Sequence, residues 1–544
     1  MKLHSALALG LMDHGIGTVF GLAGDGNLFF ADSFAREHGG TFVSAVHEAG
    51  ATMMAYGYGA VSGALGVVTV THGPGLTNTV TGLYEAAKAR MPLLLVCGDT
   101  AAADRYGPQN IAQRELIIPT GAGFEQVRSP ETATVDLATA IRRALVERRP
   151  VALNVPAEFM HTEVGYEPVR QSLIVRPSPR PEEADLDRAV GIIAGARRPI
   201  VLAGRGAIGA RAALLQLAER IGAPVATTLG AKDLFRGEPY DLGIFGTLAG
   251  PSALGAIYQA DCVLAFGAGL NRFTTAEGSL LEGKRIVHCD TDPTRLGNYA
   301  RVDTAVFGDA AQTASVITDW LDEAGIAPSS FRSPALAGQL AAPSARDGEQ
   351  ETGGRAARRP GTIDLKSALT RIDQAVPSDR VFVTDAGRYI NESWTRVHVQ
   401  DPGAFVFTVN FGSIGLGMGA AVGAAYAAPG RPVLMVCGDG GFMLGGLAEF
   451  NSAVRHGLDL IVVVCDDGAY GAEHVQLVTQ GVPPAIAEFG WPDFAQVADA
   501  LGGQGVTVRG EEDLDRALKL IAGRDRPLLI DLKLDPYQMG DVQH

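Results

Sequence analysis

Asp439 and Asp467 stand at the ends of two apolar runs, and together they have the chemistry to hold a divalent cation. The stretch 433–473 reads VLMVCGDGGFMLGGLAEFNSAVRHGLDLIVVVCDDGAYGAE. Its runs 433–437 and 460–465 are short, β-branched and bounded by Gly and Asp, as buried parallel strands are. Between them, 447–455 reads as a helix. Turns that follow such strands open at the carboxyl edge of a parallel sheet, where ligands bind. Gly438, Asp439, Gly440 and Gly441 form the first turn, and Asp466, Asp467 and Gly468 the second. Two carboxylates and bare backbone amides at one edge suit a cation that carries a phosphorylated ligand. Either aspartate alone is equally a helix cap or a turn residue. The pair, with glycine on both sides, points to a site.

Other residues have the chemistry to act on a bound molecule. Glu48 follows a strand-like run, 41–46, and sits among small residues. Carboxylates are rarely buried without a partner, although a Glu in a first helical turn is also favoured by the helix dipole. Asp25 lies in the turn Gly24-Asp25-Gly26-Asn27, and Glu473 lies six residues past Asp467. His72, in His72-Gly73-Pro74-Gly75, joins His47 and His474 as a candidate proton carrier, each also readable as structural. Ile414, in Gly-Ser-Ile-Gly, is either a core residue or an apolar support for a ligand. Glycines 412, 415 and 417 around it allow close approach of backbone to a ligand. Arg388 could meet a phosphate by charge, or simply be solvated.

The elements that must position these residues are α/β throughout. Residues 1–165 alternate strands (18–21, 41–46, 67–71, 92–97) with helices. The stretch 55–99 echoes 420–467: Gly/Ala helix, strand, Gly-rich turn, helix, strand. Two related halves in one chain suggest duplication. A third α/β unit spans 180–338 and contains a literal G-x-G-x-x-G at 204–209. The next strand, 224–228, is followed by no acid for a ribose, so the fingerprint is weak. Residues 339–360 read as a linker, and 361–544 as the last α/β domain, with 491–502 a helix and 527–534 a closing edge strand. The expected fold class is three doubly wound parallel-sheet domains.

The chain has 544 residues, is 47% hydrophobic and carries a net charge of −15. That charge argues against nucleic acid and anionic membrane as partners. Five cysteines lie in or beside apolar runs with no CxxC, as core thiols in a reducing, cytoplasmic compartment would. The N-terminus reads as an amphipathic helix rather than a signal peptide. No run reaches the length of a membrane span.

The 438–471 pattern resembles the signature of the thiamine diphosphate-dependent 2-oxo acid decarboxylase and acetolactate synthase superfamily. That signature is a Gly-Asp-Gly followed by an Asn-Asn pair. The interval here, 467 − 439 = 28, fits. The resemblance implies Mg²⁺ held by Asp439, Asp467 and the carbonyl of Ala469, bridging the diphosphate. It places Gly387, Arg388, Ser413, Ile414, Gly438, Gly440, Gly441, Tyr470 and Gly471 against the cofactor, with Ile414 under its bend. The Asn pair is replaced by Asp466-Asp467; metal binding survives the change, and the local charge becomes more negative.

By the same resemblance, Glu48 shares a proton with the aminopyrimidine ring, which lets the ring take a proton from thiazolium C2. Asp25 and Glu473 fall where decarboxylases carry catalytic acids, and an enclosed pair would raise one pKa. His72 is carried as a further catalytic candidate. The decarboxylase His-His pair is missing after Cys97, and Gln109 and Gln113 look more like the synthase branch. The implied function is a carbon–carbon lyase or carboligase acting on a 2-oxo acid, with an aldehyde or ketone acceptor in the second case. The implied assembly is a homodimer or homotetramer with sites between subunits. The alternatives are a non-catalytic paralogue that binds the cofactor, and a flavin-containing relative.

Overall fold

Three six-stranded, all-parallel sheets make up the molecule, seen in a computed structural model that describes residues 1–169, 179–341 and 358–538. The first sheet comprises Thr18–Gly21 (β1), Thr41–Ser44 (β2), Gly66–Val70 (β3), Leu93–Asp99 (β4), Gly123–Gln126 (β5) and Pro150–Pro156 (β6). The second comprises Pro199–Ala203 (β7), Val225–Thr227 (β8), Asp241–Ile244 (β9), Cys262–Phe266 (β10), Arg285–Asp290 (β11) and Thr304–Phe307 (β12). The third comprises Val381–Thr384 (β13), Phe405–Phe407 (β14), Val433–Gly438 (β15), Leu460–Asp466 (β16), Gln504–Val508 (β17) and Leu528–Lys533 (β18). The first sheet runs β2-β1-β3-β4-β6-β5, and the third repeats that order as β14-β13-β15-β16-β18-β17. The second runs β12-β11-β10-β7-β8-β9, the dinucleotide-fold order.

The β-branched runs read as strands are buried on both faces, as parallel strands under helices must be. One expectation fails. Residues 528–533 are not an edge strand, because β18 lies between β16 and β17. The true edge, β17, is QGVTV, whose glycine hides the strand pattern. The N-terminal helix Leu3–Asp13 is buried on nearly every face rather than being amphipathic. The expected linker 339–360 falls largely outside the described residues, although helix Pro334–Ala341 covers its first three. All five cysteines are free and buried. Among the described residues, no helix is long and apolar enough to cross a membrane.

One apolar core serves the first and third units together. Helix Glu48–Ser62 lies directly on helix Gly417–Ala427. A Cβ at Gly423 would stand 1.8 Å from the carbonyl oxygen of Met54, and one at Gly57 would stand 2.0 Å from that of Ala420. The helices therefore meet backbone to backbone, which only glycine permits. The central unit is pinned by a buried ammonium: Lys232 Nζ donates to Val397 O at 2.7 Å and pairs with Asp233 at 2.7 Å. Asp233 in turn accepts from Val399 N at 2.9 Å. The first two G-x-G-x-x-G glycines are accounted for by packing, since a Cβ at Gly204 would lie 2.1 Å from Gly267 O and one at Gly206 3.0 Å from Gly267 Cα, whereas Gly209 has nothing within 4 Å.

Two glycine-to-alanine changes should therefore move stability in opposite directions. Gly423→Ala is expected to cost about 2 kcal/mol or more through overpacking. Gly255→Ala, in helix Pro251–Gln259 with nothing within 4 Å of the new Cβ, should gain about 0.5–1 kcal/mol of helix propensity. Thermal midpoints of the two variants, compared with the parent, check both signs.

Candidate active site

The carboxyl edge of the third sheet gathers the cation-seeking groups. β15 ends at Gly438 and passes into the short helical turn Asp439–Gly441. β16 ends at Asp466, and Gly468 turns the chain with φ +70°. Asp439 ties the two turns together: its carboxylate accepts from Gly440 N at 2.7 Å and from Gly468 N at 2.8 Å. Asp467 accepts from Ala469 N at 3.2 Å. Both carboxyls are pushed up, each first by burial; for Asp439 the next cause is the negative charge of Asp467 and Asp466. Arg388 opposes this at Asp467. Asp467 and Arg388 flank the place where a side chain on Gly471 would project.

Arg388 is a cation beside this pair, acting at Asp467. The nearby ammonium, Lys533, is committed elsewhere: it pairs with Asp466, and with Asp531 at 2.8 Å. Lys533 offsets part of the charge of Asp466, which is still felt at Asp439 and Asp467. No cluster of three or more metal-ligating side chains occurs among the described residues. The donor set is thus two carboxylates plus backbone carbonyl, which fits a hard cation that completes its shell with phosphate and water.

A second anchor, which sequence reasoning passed over, is Asp385 at the end of β13. It is buried and accepts from Ala386 N (2.8 Å), Gly415 N (2.7 Å) and Leu416 N (3.3 Å). These bonds fix the loop that carries Ser413 and Ile414. Ile414 is half-buried, and Ser413 Oγ donates within its own loop to Ile414 O. Gly387 takes φ +156°, and a Cβ there would meet the buried Tyr389 ring at 2.4 Å. Arg388 gives one nitrogen to Pro536 O at 2.7 Å. A Cβ at Gly440 would strike Tyr470 at 2.4 Å. Gly440's amide donates to Asp439.

The carboxyl edge of the first sheet holds the remaining candidates. Glu48 opens its helix, is 9% exposed, and accepts from Asn78 Nδ2 at 2.9 Å. His47 caps the same helix, its Nδ1 accepting from Ala49 N at 3.1 Å, so it has a structural task. Asp25 is exposed on the turn after β1. His72 lies beside that turn, where a Cβ on Gly26 would stand 2.7 Å from its Nδ1. Gln113 is buried and structural, accepting from Gly73 N at 2.9 Å and donating to Gly98 O at 2.9 Å.

Asp25 and Glu473 are not enclosed together as expected. Each is exposed, on a different unit, because the chain by itself builds no dry cleft over either. His474 is buried, 3.3 Å from Glu488 and edge-on to Tyr537, so the chain's terminal segment covers it.

Comparison with known proteins matches this geometry. Residues 1–118 match the model described as thiamine pyrophosphate enzyme, N-terminal TPP binding domain. Residues 186–317 match the central domain of such enzymes, and 385–532 match their C-terminal TPP binding domain. A sulfoacetaldehyde acetyltransferase of Roseovarius nubinhibens is 30% identical over 81% of this chain and 76% of its own. A probable 2-ketoarginine decarboxylase of Pseudomonas aeruginosa is 29% identical over 97% and 93%. An acetolactate synthase of Arthrospira platensis is 28% identical over 99% and 96%.

Two tests follow from the charges. Lys533→Met leaves Asp466 and Asp531 buried without their cation and should cost about 3 kcal/mol. Adding Asp466→Asn should restore part of that loss; strictly additive denaturation midpoints would show that the pair is not coupled. Burial pushes Asp385 up to about 6. The unfolded chain releases this proton near pH ~4, so between there and pH 6 the folded state binds more protons and stability falls as pH rises. Asp385→Asn should flatten that fall by about 2–3 kcal/mol, read from urea midpoints across pH 4.5–6.5 without cofactor.

Proposed function

The chain belongs to the thiamine pyrophosphate enzyme family, and from that premise we propose that it breaks or forms a carbon–carbon bond next to the carbonyl of a 2-oxo acid, with Mg²⁺ as the metal. The observation that carries this reading is the pair of a buried Asp439 and a half-buried Asp467 on an edge equivalent in topology to the one that presents Glu48. When bound, thiamine diphosphate supplies a nucleophilic carbon and an electron sink beside the substrate carbonyl.

Asp439, Asp467 and the Ala469 carbonyl would hold the cation. Gly441 and Arg388 would face the diphosphate, and Ile414 would support the cofactor from below. Glu48 would share a proton with a pyrimidine nitrogen. Asp25, His72 and Glu473 are placed to give or take protons at the substrate once a second subunit covers them. The relatives' names span acetyl transfer, acetolactate formation and decarboxylation. The substrate sought is therefore a small 2-oxo acid or a sulfonated aldehyde, with an aldehyde or ketone as acceptor.

We read the active assembly as a homo-oligomer with sites between subunits. Exposed apolar side chains crowd both edges: Leu28, Phe29 and Val46 on the first, Phe411, Leu444 (63% exposed) and Ile486 (83% exposed) on the third. A second copy would cover such a surface.

The test is a screen of 2-oxo acids and aldehydes, sulfoacetaldehyde included, given thiamine diphosphate and Mg²⁺ and read by mass spectrometry. Turnover of at least one is expected, and no product from any of them would overturn the reading. Co-expression of Glu48→Gln with Asp467→Ala tests the assembly. Each variant alone should be inactive. Random mixed dimers should regain about one quarter of parental activity, since one site in each hybrid has both residues intact. No recovery would place each site within a single chain.

A further inference from the structure

Two carboxylates outside the metal turn are sealed between the first and third units. Glu449 is 1% exposed and Glu85 is 0% exposed. Each belongs to one unit and accepts hydrogen bonds from the backbone of the other. Glu449, on helix Leu447–Arg455, accepts from Val46 N at 3.2 Å and His47 N at 3.0 Å. Those two amides are the residues immediately before Glu48. Glu85, on helix Val80–Ala89, accepts from Asn410 N at 3.1 Å, Asn410 Nδ2 at 2.7 Å and Phe411 N at 2.7 Å. Those residues begin the loop that presents Ile414.

Both contacts are built rather than incidental. Ser452 Oγ donates to Glu449 at 2.7 Å and fixes its rotamer. A Cβ at Gly50 would lie 2.2 Å from Glu449 Oε1, so the helix that starts at Glu48 is shaped around this carboxylate. Arg455, from the same helix as Glu449, donates to Ser44 O at 2.9 Å and holds the end of β2. On the other side, Tyr84 stacks on Phe411 at 4.7 Å, and Tyr56 donates to Phe407 O at 3.2 Å. The Ile414 loop is thereby gripped at both ends, by Glu85 at Asn410 and Phe411 and by Asp385 at Gly415 and Leu416. Burying a carboxylate is costly, and an apolar side chain would fill the same space more cheaply. What an apolar residue could not do is orient two amides of the opposite unit.

We propose that Glu449 and Glu85 are positioning residues, Glu449 setting the turn that presents Glu48 and Glu85 setting the loop that presents Ile414. The inference rests on the thiamine diphosphate reading for what Glu48 and Ile414 do. Neither residue touches substrate. Each acts by holding backbone that a displacement of about 1 Å would take out of register.

The experiment compares Glu449→Ala, Glu449→Asp and Glu449→Gln with the parent, all with Mg²⁺ and thiamine diphosphate. Deuterium exchange at the cofactor C2, quenched in acid and read by NMR, is expected to slow about tenfold or more in Glu449→Ala. Glu449→Asp, which keeps the charge and is more apt to fold but loses the reach, should slow it too. Glu449→Gln should stay within about threefold of the parent, because its amide oxygen still accepts from both backbone groups. Cofactor Kd should change less than about threefold in all three, since the diphosphate anchors are untouched.

Backbone amide exchange on cofactor-free protein supplies an independent readout. In Glu449→Ala, protection should fall at residues 46–47 and persist at 410–411; Glu85→Ala should reverse that pattern. Glu449→Ala with a lowered Tm but parental C2 exchange would overturn the proposal, leaving a merely structural role. So would Glu449→Gln as slow as Glu449→Ala. A parent that itself fails to exchange C2–H would overturn the thiamine reading first, and this proposal with it.

Discussion

Everything that gives this molecule a chemical edge depends on two helices touching backbone to backbone. Helix Glu48–Ser62 begins at Glu48, and helix Gly417–Ala427 begins three residues after Ile414, the two residues proposed to meet the cofactor. Where they meet, Gly57 faces Ala420 and Gly423 faces Met54, with no room for a methyl group. Interiors at this packing density transmit small displacements instead of absorbing them. The contact therefore does more than bury apolar area. It fixes the height and rotation of two reacting elements that come from sheets of identical order. A looser pair of leucine-rich faces would bury as much surface and leave that geometry adjustable.

Charge is the second constraint. The third sheet ends in Asp439, Asp466 and Asp467, with Asp385, Asp531 and Asp535 close behind in the buried set. A cluster of this kind is stable only if each member has an assigned answer. Asp385 is answered by backbone amides, and Asp466 and Asp531 by Lys533. Asp439 is answered in part by the amides of Gly440 and Gly468, and Asp467 in part by Arg388. The raised carboxyls of that pair mark the charge that remains for a cation to neutralise. Asp466, where the resemblance expects an amide, turns toward Lys533, which offsets part of its charge.

Sequence alone made much of this legible, and the reason is local. Parallel strands in a doubly wound sheet are continuous apolar runs, and the turns after them are short, so 433–437 and 460–465 announce both the sheet and its edge. The internal echo of 55–99 in 420–467 foretold the repeated strand order. What escaped notice was set by distant partners. β17 hides behind its glycine, and β18 looks terminal in the chain although it is interior in the sheet. Glu85 and Glu449 read as ordinary helical acids. Their signal was present, since each is a lone carboxylate flanked by apolar residues, in LYEAA and LAEFN. Only the opposing unit shows which amides they meet. Asp25 and Glu473 are both exposed in the single chain, on different units.

Glycine at a strand end recurs in two parts of this chain, and the difference lies in what occupies the space beside it. At 204–209 the spacing is that of a dinucleotide fingerprint, on a sheet of the matching order. There Gly204 and Gly206 are pressed against the backbone of Gly267, so the absence of side chains is explained by one turn packing on another. At 438–441 the nearest obstruction to a side chain on Gly440 is the ring of Tyr470, itself part of the second acidic turn. At Gly441 a Cβ would stand 2.7 Å from the Asp385 carboxylate. Glycine thus serves close packing at both strand ends, against backbone in the central unit and against a ring and a carboxylate in the third. What sets the third edge apart is its collection of carboxylates, Asp439, Asp466 and Asp467. Glycine spacing by itself does not distinguish the two.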